Sequence, residues 1–84
     1  MSVLELLARH RVVPVVVLDR AEDADPLGDA LVRGGLPVAE VTFRTPAAAG
    51  SIRVLADRGD LLVGAGTVLT AAQLDQAVDA GASY

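Results

Sequence analysis

The residues best suited to chemistry lie in the segment Val38 to Arg44, where a carboxylate, a hydroxyl and a guanidinium follow one another at every second position. Side chains alternate along a β-strand. One face therefore carries Val38, Glu40, Thr42 and Arg44, and the other carries Ala39, Val41 and Phe43. A carboxylate in the middle of a buried parallel strand is costly unless it is paired or functional. The periodicity fits Glu40 as a proton-transfer group, and it fits the polar side of a solvent-facing edge strand equally well, so both interpretations stay open.

The spacing of Glu40 and Arg44 bears on how they would act. Four residues of extended strand span about 13 Å. The two side chains therefore cannot form a simple ion pair unless Arg44 folds back. We expect the two side chains to contact different parts of one ligand.

A second candidate segment is Gly64-Ala65-Gly66-Thr67-Val68-Leu69. Glycines near the end of a strand let a ligand or a neighbouring strand approach the backbone closely. Thr67 would present its hydroxyl at the carboxyl end of the strand, where parallel sheets bind ligands. The segment lacks the third glycine of a dinucleotide fingerprint, because Leu69 stands in its place. A tight turn that needs glycine only for its conformation remains the alternative.

Composition narrows the chemistry further. The chain has a net charge of -4, which disfavours nucleic acid and anionic membranes as partners. It has no cysteine and a single histidine, His10, so no disulfide or multi-histidine metal site is expected. All 7 basic side chains are arginines, so the chain contains no lysine amine. The N-terminus does not have the basic and apolar regions of a signal peptide. The apolar run Val12 to Leu18 is too short to span a membrane. These two features predict a cytoplasmic protein.

Strands and helices should alternate along the chain. Residues 3–9 predict a short helix capped by Ser2, and Val12 to Leu18 predict a buried strand with Pro14 near its start. A helix should follow the acidic residues Glu22, Asp23 and Asp25, which suit a solvated helix N-terminus better than a metal site. It should end at Gly34-Gly35.

The second half repeats this order. Residues 37–43 predict a second strand, and Thr45 with Pro46 predicts a capped helix that ends at Gly59. A third strand should begin at Leu61. Thr70 and Gln73 form a capping-box pattern for a last helix, which should end at Gly81. Ser83-Tyr84 would begin a fourth strand.

The order βαβαβα indicates a parallel α/β sheet in a single domain, residues 1–84. Three βα units occur both in closed eight-stranded barrels of about 250 residues and in open doubly wound sheets. The chain stops where a strand would start, and we expect it to be an incomplete portion of such a fold.

Taken together, these motifs resemble the aldolases that cleave 2-keto-3-deoxy-6-phosphogluconate (KDPG) and 4-hydroxy-2-oxoglutarate (KHG). The matching stretches are Val12-Val13-Pro14-Val15-Val16, Gly34-Gly35, Glu40-Val41-Thr42-Phe43-Arg44-Thr45, Val63-Gly64-Ala65-Gly66-Thr67-Val68-Leu69 and Ala80-Gly81-Ala82. The resemblance covers essentially the whole chain. It implies the N-terminal three βα units of a (β/α)₈ TIM barrel, in a homotrimeric class I aldolase that uses no metal or cofactor.

The resemblance also implies roles for individual residues. Glu40 would move protons during carbon–carbon cleavage, and Arg44 and Thr67 would bind the keto-acid substrate. A lysine forms a Schiff base with pyruvate or the keto acid in this family. Because the chain has none, we expect it to be inactive alone. Two alternatives stay open: a non-enzymatic fragment that assembles with a complementary chain, and a small α/β protein that binds phosphate at Gly64–Thr67.

Overall fold

The computed structural model describes Met1 to Tyr84 as four helices and three strands. In chain order they are α1 (Val3–His10), β1 (Val15–Val16), α2 (Ala24–Arg33), β2 (Val38–Thr42), α3 (Ala48–Arg58), β3 (Leu62–Gly66) and α4 (Ala71–Ala80). A short 3₁₀ turn, Ala21–Asp23, leads into α2. The alternating order expected from the sequence is confirmed.

The strands form one parallel sheet in the order β1-β2-β3. Glu40 is the register partner of Val15 on β1 and of Gly64 on β3. The last residues continue the sheet: the Ser83 amide donates to the Val63 carbonyl at 2.8 Å, and the Ala65 amide donates to the Tyr84 carbonyl at 2.8 Å. Ser83-Tyr84 therefore lies beside β3, where a fourth strand was expected.

One face of the sheet is closed by α3. Val41 of β2 and Val63 of β3 are buried there against Ile52 and Leu55, and small alanines complete the cluster. Branched aliphatic side chains between a parallel sheet and its crossover helices are what right-handed βαβ units require. The expectation that the Ala39, Val41 and Phe43 face packs under a helix is confirmed.

Several element boundaries differ from those expected: α1 runs one residue further, to His10, and β2 and β3 each begin one residue later, at Val38 and Leu62. The first strand is only Val15–Val16 rather than residues 12–18, because only these two residues are in register with β2. Pro14 lies just before it, and the Pro14 carbonyl accepts from the Glu40 amide at 2.9 Å. The second strand ends at Thr42 rather than residue 43, since the chain turns at Phe43 although its amide still donates to the Gly66 carbonyl at 2.9 Å.

The start of α3 was also placed too early. The helix begins at Ala48, not at Pro46. The Thr45 hydroxyl donates to the Leu18 carbonyl and accepts from the Ala47 amide, so it fixes a turn that ties the end of β2 to the segment after β1. Thr45 therefore lies three residues before the first residue of the helix and does not cap it.

The last helix is capped by one of the two expected bonds. The Thr70 hydroxyl accepts from the Gln73 amide at 3.1 Å, as predicted. The Gln73 side chain accepts from the Leu69 amide at 2.8 Å and not from Thr70, so the reciprocal half of the capping box moves one residue back along the chain. Gly81 ends the helix with a φ of 106°, a left-handed conformation that glycine adopts without strain.

Apolar surface remains at both edges of the sheet. Val15 is 62% exposed at one edge, and Leu74 and Val78 of α4 are 55% and 63% exposed at the other. A groove of about 360 Å³ runs between α4 and the end of the chain, bounded by Ala65, Leu74, Val78 and Tyr84 among others. None of the four helices has the length and apolar character needed to cross a bilayer.

Candidate active site

Glu40 projects from the middle of β2 onto the face of the sheet that α3 does not cover. Its carboxylate lies over Gly66 of the neighbouring strand: a Cβ atom at residue 66 would come within 2.7 Å of Glu40 Oε2. Glycine at position 66 therefore makes room for the carboxylate. The half-buried Glu40 side chain takes part in none of the hydrogen bonds or ion pairs within the chain, which leaves its oxygens available to a ligand.

Thr42 shares the face of Glu40 but serves the backbone. Its side chain is 2% exposed, and its hydroxyl donates to the Val16 carbonyl at 3.3 Å. This bond joins β2 to β1 just beyond their short pairing. The hydroxyl that the alternation placed among candidate functional groups is therefore already engaged in holding the two strands together.

Arg44 lies in the turn after β2 and is exposed. The strand alternation ends at Thr42, so Arg44 follows the polar face in sequence but does not continue it as a strand residue. No ion pair joins Arg44 to Glu40 or to any other carboxylate of the chain. The guanidinium is thus free to bind an anion at the carboxyl end of the sheet.

Thr67 follows β3 directly and has a φ of 54°. A β-branched residue in the left-handed region is strained, and such strain is found preferentially at ligand sites. Because β2 and β3 are adjacent and parallel, Arg44 and Thr67 follow the same end of the sheet, and the Glu40 carboxylate reaches toward that end over Gly66. The structure therefore brings the three predicted site residues to neighbouring strand ends.

Tyr84 is a further polar residue on this face that sequence reasoning did not single out. Its ring lies over Gly64, where a Cβ atom would collide with it. Burial, and secondly the Glu40 charge, raise the pKa of Tyr84 to about 12. The available signal was modest: Tyr84 is the only tyrosine and occupies the expected start of a fourth strand.

The other titratable residues that the sequence singled out show no contact with Glu40. His10 ends α1, ahead of β1 and away from the carboxyl ends of the strands. Glu22 pairs with Arg20 at 3.0 Å, and Asp25 pairs with Arg58 at 2.6 Å. The hydrogen bonds that the Arg58 guanidinium donates to the Asp60 and Asp25 carboxylates raise the pKa of Arg58. No group of three or more His, Cys, Asp or Glu side chains is arranged to hold a metal ion.

Comparison with known proteins decides the family. The sequence profile described as "KDPG and KHG aldolase" matches residues 3–84. The chain belongs to the KDPG/KHG aldolase family. It is 51% identical over 84 residues to the 2-dehydro-3-deoxy-phosphogluconate aldolase of Haemophilus influenzae, covering 99% of this chain and 40% of that protein. It is 44% identical over 84 residues to the KHG/KDPG aldolase of Escherichia coli K12, with 99% and 39% covered.

Solved aldolases of the family share the fold. The KDPG aldolase of Zymomonas mobilis superposes with a TM-score of 0.80 at 49% identity, over 86% of this chain and 35% of that one. The KDPG aldolase of Legionella pneumophila, solved with pyruvate captured as a covalent carbinolamine intermediate, gives a TM-score of 0.77 at 48% identity, over 83% and 34%. The fold is therefore the N-terminal part of the aldolase TIM barrel. The 84 residues span about 40% of the length of the curated relatives they match.

Proposed function

We propose that this chain supplies the proton-transfer and carboxylate-binding part of a class I aldolase that cleaves KDPG or KHG to pyruvate and an aldehyde. One observation carries the proposal: in a member of this family, the unpaired Glu40 carboxylate lies over Gly66 beside the strand ends that bear Arg44 and Thr67. Carboxylate, guanidinium and hydroxyl are the groups that a keto-acid substrate and its proton transfers need.

Glu40 has the proton-transfer role in this scheme. A lysine amine condenses with the keto carbonyl, and the iminium carbon then accepts electrons. Glu40 takes the proton of the substrate hydroxyl as the adjacent carbon–carbon bond breaks. The aldehyde leaves, the electron pair passes into an enamine, and protonated Glu40 returns the proton to the methylene carbon. Hydrolysis of the imine releases pyruvate and the free amine.

Arg44 and Thr67 hold the keto-acid end. A guanidinium binds a carboxylate through two parallel N–H donors, which fixes its orientation as well as its position. The Thr67 hydroxyl, which follows the neighbouring strand β3, would donate a further hydrogen bond to the keto-acid end of the substrate. Together they would orient the carbon–carbon bond toward Glu40. This positioning accounts for part of the rate that an enzyme gains from bound geometry.

The amine is the part that these 84 residues do not supply, since they contain no lysine. We therefore propose that the isolated 84-residue chain does not turn over substrate. The lysine amine would come from polypeptide other than these 84 residues. The chemistry calls for no metal or cofactor. The family resemblance further suggests a homotrimer acting on small keto acids in the cytoplasm.

The structure bears on the two alternative functions, a phosphate-binding protein and a fragment that assembles with a complementary chain. A phosphate site at Gly64–Thr67 is disfavoured, because the Tyr84 ring covers Gly64 and the Glu40 carboxylate places negative charge over Gly66. Assembly with a complementary chain is favoured by the exposed Leu74 and Val78 of α4. Such assembly is compatible with the aldolase proposal whenever the partner carries the lysine.

A chimera tests the proposal. The 84 matched residues of the Haemophilus influenzae aldolase are replaced by this chain, which is 51% identical to them. We expect the chimera to cleave KDPG, KHG or both, and its relative rates on the two substrates give its preference. A chimera with native circular dichroism and the parent's oligomeric size that cleaves neither substrate would contradict the proposal.

Borohydride trapping supplies the matching control. With pyruvate and borohydride, the chimera should gain the mass of one reduced pyruvate adduct on a lysine. The isolated 84-residue chain should gain none under the same conditions. A stable adduct on the isolated chain would show that the proposed division of roles is wrong.

A further inference from the structure

Tyr84 lies directly across β3 from Glu40. The ring atoms nearest to an added Cβ at Gly64 are Cε2 and Cζ, so the hydroxyl-bearing end of the ring lies above that glycine. Gly64 is in turn the register partner of Glu40. The ring thus extends from the chain end, over Gly64, toward β2. A side chain larger than glycine at position 64 would collide with the ring in this position.

The Tyr84 hydroxyl is buried and has no hydrogen-bond partner within the chain. A buried donor without a partner costs about 1–3 kcal/mol, so such a group in a native site calls for a reason. Burial and the Glu40 charge both raise the pKa of Tyr84, which keeps the phenol protonated and able to donate. The Glu40 carboxylate lies on the same face, accepts no hydrogen bond within the chain, and acts on Tyr84 through its charge, so it is an available acceptor for this hydroxyl.

We propose that Tyr84 is a positioning residue for Glu40, whose carboxylate it holds over Gly66 by donating a hydrogen bond from its phenolic hydroxyl. The bond requires the two side chains to turn toward each other from the conformations in which neither has a hydrogen-bond partner within the chain. The carboxylate is then held from the side of Ser83-Tyr84 while its other oxygen faces the carboxyl ends of the strands. The catalytic meaning of this contact rests on the proposed function, but the contact itself does not.

The chain offers two clean spectroscopic probes of the contact. Tyr84 is its only tyrosine and it has no tryptophan, so tyrosinate absorbance reports one residue. Glutamate occurs only at positions 5, 22 and 40, so ¹³C-carboxyl labelling of glutamate gives one resonance for each. Both experiments use the 84-residue chain and need no turnover.

The decisive variant is Tyr84→Phe, which keeps the ring over Gly64 and removes only the hydroxyl. At pH 7 we expect the ¹³C carboxyl resonance of Glu40 to shift, while those of Glu5 and Glu22 stay in place. A purely structural ring would leave all three resonances unchanged. An unchanged Glu40 resonance overturns the proposal.

Glu40→Gln supplies the reciprocal measurement. We expect the ionisation midpoint of Tyr84 to fall from about 12 toward its ordinary 10, staying above 10 because burial remains. Glu22→Gln, the same chemical change at the exposed pair with Arg20, should leave the midpoint in place. A midpoint unmoved by Glu40→Gln, with circular dichroism showing a folded chain, also overturns the proposal. A fall in the midpoint without the resonance shift shows only a nearby charge and counts against the hydrogen bond.

These outcomes separate the contact from the aldolase proposal. An inactive chimera combined with a shifted Glu40 resonance would reject the proposed function and keep the contact. An active chimera combined with an unshifted resonance would keep the function and reject Tyr84 as a positioning residue.

Discussion

The two faces of the sheet are built from different kinds of residue. The face under α3 is filled by the aliphatic side chains of Val41, Val63, Ile52 and Leu55, although the buried Ser51 hydroxyl of α3 has no hydrogen-bond partner. The opposite face carries Glu40 over one glycine and Tyr84 over another, with both polar ends unpaired inside the chain. The face under α3, called here the packed face, is closed by aliphatic side chains, whereas the opposite face, called here the open face, has glycines beneath a carboxylate and a phenol.

Side-chain size, more than polarity alone, therefore distinguishes the packed face of the sheet from the open face. Glycine at positions 64 and 66 removes the side chains that would fill the open face, and the carboxylate and phenol occupy that space. On the packed face, loss of a few methyl groups would leave a cavity. Substitutions on the two faces should therefore change different measurable properties.

Loss of the carboxylate on the open face should have the largest effect. Glu40→Gln in the chimera should lower the rate of substrate cleavage by roughly 10²–10⁴-fold, the usual contribution of a positioned acid/base group. Steady-state kinetics measure it, with Glu22→Gln as the matched control of unchanged rate. Equal rates for the two variants would remove Glu40 from the mechanism.

Truncation on the packed face should change stability. Leu55 is 0% exposed, so Leu55→Ala should cost about 2–5 kcal/mol of unfolding free energy or abolish the transition altogether. Val15→Ala at the 62% exposed edge position should change the isolated chain by less than about 0.5 kcal/mol. Urea unfolding followed by circular dichroism compares the two. Similar losses would show that the faces do not differ in packing.

A methyl group on the open face should harm activity more than stability. In Gly66→Ala the new Cβ meets Glu40 Oε2 at 2.7 Å, and the carboxylate, being the end of a flexible side chain, swings aside. Displacement by about 1 Å can lower the rate by ~10²-fold. Gly50→Ala in α3, whose Cβ would meet Ala21 at an ordinary 3.4 Å, should leave the chimera's rate unchanged. Parallel kinetics and melting curves would reveal any departure from this pattern.

The smallest expected effect belongs to neither face. Thr70→Ala removes the hydroxyl that accepts from the Gln73 amide, which should cost about 1 kcal/mol of stability. Thr70→Ser keeps an accepting oxygen and should recover most of the loss. Thermal unfolding of the three proteins measures it, and a Ser variant as unstable as the Ala variant would mean that the hydroxyl does not cap α4.

Much of the fold could be predicted from local signals. Ser2 caps α1 with the full reciprocal pair, and Gly59 and Gly81 end helices in the left-handed conformation. These features depend on residues close together in sequence. The two-residue length of β1 and the late start of α3 depend instead on tertiary bonds, such as that from Thr45 to the Leu18 carbonyl, which no local pattern specifies.

The site could also be predicted in part, because strand alternation and strand ends are local features of the sequence. Alternation on β2 places Glu40 on the face opposite the core, and the end of β3 places Thr67 at the sheet's carboxyl end. The pattern could not separate Thr42, whose hydroxyl bonds to the Val16 carbonyl, from a functional group. Nor could it identify Tyr84, because its contact over Gly64 joins residues 20 positions apart in the sequence.

Proton exchange into pyruvate tests the central claim most directly. In deuterium oxide, the chimera should exchange the pyruvate methyl protons, a reaction that the proposed mechanism assigns to the Schiff base and the Glu40 carboxylate and that needs no aldehyde. Glu40→Gln should still yield the borohydride-trapped adduct while the exchange seen by proton NMR is lost. Exchange by this variant at the rate of the unsubstituted chimera would contradict the account.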